Sequence, residues 1–190
     1  MNKEFLIIAV TAPGFYLEEA SKINSILANN EATFIHIRKP GSTVGEIETL
    51  INEIKPEFHK KLKLHDHFEL LEKYNLGGIH LNARNPEAPE KFNFPNIIKG
   101  NMSVSKSIHS LNEIECTEDL DYFFISPIFD SISKKGYKSA YDLNILATKI
   151  KRKRAIALGG VTPDKFPLLK GLGFYGAALL GHFFPPTRGN

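Results

Sequence analysis

Short apolar runs recur along the chain with longer amphipathic stretches between them. The runs lie at 4–10, 33–38, 61–65, 77–81, 96–103, 121–126, 154–158 and 175–180. They are rich in Ile, Leu, Val and Phe on both faces, as in parallel strands covered outside by helices and inside by packed side chains. The stretches between them repeat at helical spacing: Tyr16, Ala20, Ile23 and Leu27 fall on one face, then Val44, Ile47, Ile51 and Ile54, then Leu143, Leu146, Ala147 and Ile150. Strands alternating with helices are βα units. Eight strands close a barrel, so the pattern predicts an α/β fold, a compact (β/α)8 TIM barrel formed by residues 1–190 as one domain.

Local signals set the boundaries. Thr43 with Glu46, and Ser110 with Glu113, have the spacing of capping boxes and mark two helix starts. Thr162 followed by Pro163 reads as an N-cap with proline in the first turn. Pro86, Pro89 and Pro95 leave room only for a reduced fourth helix, and Pro167 shortens or kinks the seventh. The residues from His182 to Asn190, with Pro185 and Pro186 among them, are too few for a full eighth helix, which is therefore missing or truncated.

Composition narrows the class without choosing a function. The 190 residues are 42% hydrophobic and 24% charged, with a formal charge of +3, which excludes disorder and supports one buried core. No basic stripe interleaved with aromatics argues for nucleic acid. The one basic run, Lys149 to Arg154, reads as a solvated helix end before a strand. The single cysteine, Cys116, allows no intrachain disulfide and suits a cytoplasmic protein. No leader segment is evident, and no apolar run approaches the ~20 residues of a membrane span.

In such a barrel the chemistry gathers where strands end and their following loops begin. Strand 2 ends in His36-Ile37-Arg38, strand 3 in His65-Asp66, strand 4 in His80-Leu81-Asn82, and strand 5 leads to Ser105-Lys106-Ser107-Ile108-His109. Four of the seven histidines, His36, His65, His80 and His109, lie at these strand ends, more than scattered core histidines would give. His36 and Arg38 share a strand face, and the planar fork of an arginine suits a phosphate or carboxylate; a buried ion pair would use Arg38 equally well. Gly159-Gly160 after strand 7 and Leu180-Gly181 after strand 8 fit a backbone phosphate cup, although tight turns also need glycine. In the loop after strand 6, Ser131, Ser133 and Lys134 could cradle a phosphate or pyrophosphate, or form a plain polar loop.

In order along the chain, Phe34-Ile35-His36-Ile37-Arg38, His65-Asp66, Gly78-Ile79-His80-Leu81, Ser107-Ile108-His109-Ser110-Leu111-Asn112-Glu113, Asp121-Tyr122, Ser126-Pro127-Ile128-Phe129 through Lys134, Ala157-Leu158-Gly159-Gly160-Val161-Thr162-Pro163 and Gly176-Ala177-Ala178-Leu179-Leu180-Gly181 resemble the thiamine phosphate synthase/TenI superfamily. The synthase branch implies a Mg²⁺-dependent joining of a pyrimidine diphosphate to a thiazole phosphate, with pyrophosphate released. Departures from that branch concentrate at the metal. Asp66 keeps one carboxylate, but Asn85 stands where the synthase pattern has an aspartate, and the positive Arg84 adjoins it; Lys39 is one residue out of register with the pattern's second cation.

The TenI-type branch is similar in more detail, through His36-Ile37-Arg38 and the segment around His109. It includes thiazole tautomerases, which move a proton on a thiazole carboxylate phosphate and require no cofactor. The resemblance implies His109 as the acid–base group, His36 and Asp66 in the catalytic set, and Arg38, His65, His80, Ser107 and the strand 7–8 glycines on the ligand. Imidazole suits the acid–base role because it titrates near neutrality. The resemblance thus implies a metal-independent thiazole tautomerase. A Mg²⁺-dependent synthase and a non-catalytic phosphate-ligand binder are the alternatives, and a homo-oligomeric state is left open.

Overall fold

A computed structural model describes residues 5–89, 102–130, 139 and 141–184. Its strands are β1 (Leu6–Val10), β2 (Phe34–Ile37), β3 (Leu62–Leu64), β4 (Gly78–Leu81), β5 (Ser103–Ile108), β6 (Tyr122–Ile125), β7 (Ala155–Ala157) and β8 (Gly176–Leu179). All pair in parallel and in chain order, and β8 closes onto β1 through Leu6↔Gly176 to Ala9↔Leu179. The predicted (β/α)8 barrel is present.

Alternation along each strand divides the side chains between two layers. One parity points out to the helices: Ala9, Ile35, Leu64, Ile79 and Phe123 pack in one cluster with helix residues such as Ile23 and Ile51. The other parity fills the barrel, and its two sides differ. Ile8, Val10, Ile156 and Ala178 make the side formed by β1, β7 and β8 apolar. The side formed by β2 to β5 buries His36, Lys63, His65, His80 and Ser105. Barrel interiors are usually filled by branched aliphatics, so this polar half is a departure that needs its own hydrogen bonds.

The regular helices among the described residues are α1 (Glu19–Ala28), α2 (Val44–Glu53), α3 (Leu70–Lys73), α4 (Leu143–Lys149) and α5 (Phe166–Gly171). At α2 the expected capping box is complete, with Thr43 Oγ1 accepting from the Glu46 amide and the Glu46 carboxylate accepting from the Thr43 amide. Val44, expected on its buried face, is instead 40% exposed in the first turn. Pro167 sits in the first turn of α5, where no intrahelical donor is lost, and a 3-10 turn at Pro163–Lys165 precedes it. The described residues 82–89 contain no helix, and residues 181–184 form a turn.

Two sequence expectations shift. The fifth strand runs over Ser103–Ile108 rather than 96–103, of which residues 96–101 lie outside the described set. Its inward positions are serines, so the polar half of the barrel disguises the strand. Ser110 and Glu113 do bond, side chain to side chain at 2.8 Å, but they introduce a 3-10 segment at Asn112–Cys116 and no α-helix. The short span before β6 leaves little room for more.

Candidate active site

Three of the expected site histidines lie inside the barrel, below its rim. His36 and His80 are fully buried and His65 nearly so. His36 Nδ1 is 3.0 Å from His65 Nε2, and His36 Nε2 is 2.8 Å from the Tyr122 hydroxyl. His80 spans two serines of β5, with Nδ1 at 2.9 Å from Ser105 Oγ and Nε2 at 2.8 Å from Ser107 Oγ. Burial lowers the pKa of all three, to about 3 for His80. They are neutral at ordinary pH.

These histidines bring ring nitrogens within 4.8 Å of one another. A metal centre does not follow. The His65 and His80 rings stack with an interplanar angle of 26°, and imidazole lone pairs lie in the ring plane, so stacked rings cannot aim at one ion. Both nitrogens of His36 and of His80 already have hydrogen-bond partners. The cluster is a hydrogen-bonded polar core that ends, at His65, under the barrel mouth.

Above it lies the β3–β4 rim. Asp66 is gripped by Arg84, with Nε 3.2 Å from Oδ1 and Nη2 3.0 Å from Oδ2. The turn that presents Arg84 is closed by two backbone hydrogen bonds between Asn82 and Asn85. Asn85 Nδ2 donates to Asp66 Oδ1 at 2.8 Å and to the His65 carbonyl at 3.0 Å. Both partners only accept, so chemistry fixes the orientation of this amide. Arg38, one strand further round, is half-buried. Burial lowers its pKa, Arg84 lowers it further, and Asp66 opposes the shift.

His109 stands exposed just past β5. Its amide donates to the Glu113 carboxylate at 3.1 Å, and its ring Nδ1 lies 3.4 Å from the Ser126 carbonyl at the end of β6. Across the mouth, Gly159 and Gly160 have φ of 92° and 61°. A Cβ on Gly160 would fall 2.3 Å from the Asp130 carbonyl oxygen, so packing against the β6 loop requires glycine there. A Cβ on Gly181 would meet nothing within 4 Å. Among the described residues, neither the Gly160 nor the Gly181 amide donates to any acceptor. Leu180 is half-buried beside Gly181. Ser131, Ser133 and Lys134 lie outside the described residues.

The model of the thiamine monophosphate synthase family, TMP-TENI, matches residues 7–183. The chain belongs to that family. Within it, a solved thiamine phosphate pyrophosphorylase from Bacteroides thetaiotaomicron is 35% identical, with TM-score 0.76 over 94% of this chain and 83% of that one. A thiamine phosphate pyrophosphorylase from Pyrococcus furiosus is 16% identical, with TM-score 0.71 over 94% of this chain and 87% of that one. A mutant tryptophan synthase α-subunit from P. furiosus, 14% identical with TM-score 0.62 over 93% and 86% of the two chains, shares the fold. No curated protein sequence matches.

The residues of this thiamine monophosphate synthase family member do not fit a Mg²⁺ site of the synthase pattern. Mg²⁺ needs free oxygen ligands, preferably from one or two carboxylates. Both oxygens of Asp66 are committed to a guanidinium, one also to an amide, and the second carboxylate position is Asn85. Two residues were not assigned to the site from the sequence. Tyr122, there only part of the Asp121-Tyr122 motif, faces inward beside His36 and bonds it. Lys39 points to the other face of β2, as its one-residue offset implies, and is buried against both carboxylate oxygens of Glu19 at 2.7 Å. Lys39, not Arg38, makes the buried ion pair of this strand.

Proposed function

We propose that this protein is a thiamine-pathway enzyme acting as a thiazole tautomerase on a thiazole carboxylate phosphate, with no metal cofactor. The observation that carries this reading is the Asp66–Arg84 pair: the carboxylate that a metal-dependent synthase would use is already neutralised by an arginine. In this reading His109 moves the proton, its ring standing in solvent at the mouth. The amides of Gly160 and Gly181, without an acceptor among the described residues, hold the phosphate, since oriented backbone N–H groups favour an anion. Arg38 receives the other anionic end. His36, His65, His80 and Ser107 form the neutral floor beneath, and Asp66 acts by holding Arg84.

The 35% identical relative is named a pyrophosphorylase, which favours a second reading as a Mg²⁺-dependent thiamine phosphate synthase. Two assays separate them. Turnover of thiazole carboxylate phosphate in millimolar EDTA supports the tautomerase. Pyrophosphate release from the pyrimidine diphosphate and thiazole phosphate, abolished by EDTA and restored by Mg²⁺, selects the synthase and overturns the first reading. Ligand binding with neither activity leaves a binding protein.

A further inference from the structure

Two guanidiniums share one carboxylate at the β3–β4 rim. Arg84 spends Nε and Nη2 on Asp66, and among the described residues its Nη1 has no acceptor, with its side chain 42% exposed. Arg38 is half-buried, and among the described residues its guanidinium has no hydrogen-bond acceptor. The two are close enough for each to matter electrostatically: Arg84 disfavours the charged form of Arg38, and both disfavour a charged His65 below them. Counting Asp66 against Arg38 and Arg84 leaves one positive charge in surplus, set over a neutral, water-poor floor. A partly desolvated guanidinium without a counter-ion is costly, and the remedy is an anion.

The place of that charge is informative. It stands on the carboxylate that the synthase pattern gives to a divalent cation, and the Asn82–Asn85 turn and the Asn85 amide hold it there. A guanidinium so fixed offers two parallel donors to an oxyanion, with less reorganisation than a free side chain would need. We propose that Arg84, clamped by Asp66, is a built-in substitute for the metal ion: with Arg38 it binds an oxyanion of the ligand, phosphoryl or carboxylate, in the absence of any divalent cation. This rests on the metal-free reading above, yet it concerns binding and needs no turnover to be tested.

The test is calorimetric titration of inorganic pyrophosphate, and separately of oxalate, into the full-length protein in EDTA. The expected result is binding of at least one of them without metal, the tighter probe naming the oxyanion class. Arg84→Gln should weaken it by about 10- to 100-fold, the loss expected for charge-assisted hydrogen bonds. Arg84→Lys should fall between, because it keeps the charge and loses the fork. Mg²⁺ titrated alone should give no heat at millimolar concentration. Three outcomes overturn the proposal: no anion binding in EDTA, unchanged binding in both Arg84 variants, or a Mg²⁺ site that disappears in Asp66→Asn. Metal-free anion binding through Arg84 in a protein that fails to turn over the thiazole would retain this inference and remove the tautomerase reading instead.

Discussion

His36 Nδ1 and His65 Nε2 lie 3.0 Å apart inside the barrel, so one of these rings must donate and the other accept. A proton on both nitrogens would set two donors against each other in a region with little water. The chain continues from His36 Nε2 to the Tyr122 hydroxyl, whose ionisation is itself suppressed by burial. The three side chains therefore form a neutral line, and the choice of tautomer at His36 passes to His65. If the Tyr122 hydroxyl donates, His36 offers N–H to His65, and the outer nitrogen of His65 carries a proton toward the mouth. If the hydroxyl accepts, that outer nitrogen presents a lone pair.

Acid should therefore destabilise the protein unusually early. An unfolded histidine titrates near pH 6.5, whereas His36 and His65 lie well below that in the fold and His80 at about 3. As pH falls the unfolded state takes up protons first. The histidines' contribution to stability is full above pH 6.5 and declines below it, by up to about 1.4 kcal/mol per pH unit for each histidine, until the folded values are reached. Urea unfolding measured between pH 6.5 and 5 should show uptake of more than one proton on unfolding. Lys63, buried and lowered to about 8, has the same sign at alkaline pH, so stability should rise from pH 8 toward 10.5. A flat profile across the acid window would mean that the cluster opens to water.

Tyr122→Phe should cost about 1–3 kcal/mol, because it strands His36 Nε2 without a partner in a dry site. Its diagnostic effect lies at a distance. The ¹⁵N resonances of His65 should change their tautomer signature in the variant, because the Tyr122 hydroxyl bonds His36 Nε2 and acts on His65 through that ring. Lost stability with an unaltered His65 signal would leave Tyr122 a packing residue only.

Strand count, order and closure were legible because the outward parity of the strands is apolar apart from Lys106 in β5, and the helical faces between them keep a regular period. The inward parity was harder. Its residues at β5 are serines, so that strand was drawn too early, and its serines were read as loop when Ser105 and Ser107 hold His80 from within the strand. The histidines were legible as a set, because they fall at strand ends. Their depth was not, since two residues along a strand separate the half-buried Arg38 from the sealed His36. Arg84 stood out as a charge beside a vanished carboxylate, but its grip on Asp66 depends on the turn between Asn82 and Asn85, which no short motif announces.

The two glycine loops should respond differently to a methyl group. Gly160→Ala puts Cβ 2.3 Å from the Asp130 carbonyl oxygen at a φ of 61°, so the β6 loop must move. A stability loss of about 1–3 kcal/mol is expected, with ligand binding lost alongside. Gly181→Ala meets open space, so its unfolding midpoint should stay where it is while phosphate affinity falls, because the methyl group stands beside the amide N–H offered to the anion. Calorimetry with inorganic phosphate beside thermal unfolding reads both quantities. Unchanged phosphate affinity in Gly181→Ala would remove that loop from the binding site.

His109→Gln should remove proton transfer and spare binding. The ring stands past β5, with Nδ1 near the Ser126 carbonyl at 3.4 Å and the Ser126 hydroxyl at 3.5 Å, and its Nε2 has no partner among the described residues. Glutamine keeps a hydrogen-bonding side chain of similar reach while removing the titratable group. General acid–base catalysis contributes roughly 10²–10⁴-fold, so turnover of thiazole carboxylate phosphate should fall by about that factor with little change in ligand affinity. Arg38→Met should give the reverse pattern, weaker binding with the proton carrier intact. The competing account is structural: the His109 amide and Ser110 Oγ both bond Glu113 and begin the 3-10 segment after β5. On that account the backbone contact survives in His109→Gln, and the variant would show at most lower thermal stability. Turnover per folded molecule at the wild-type level would then end the catalytic assignment of His109.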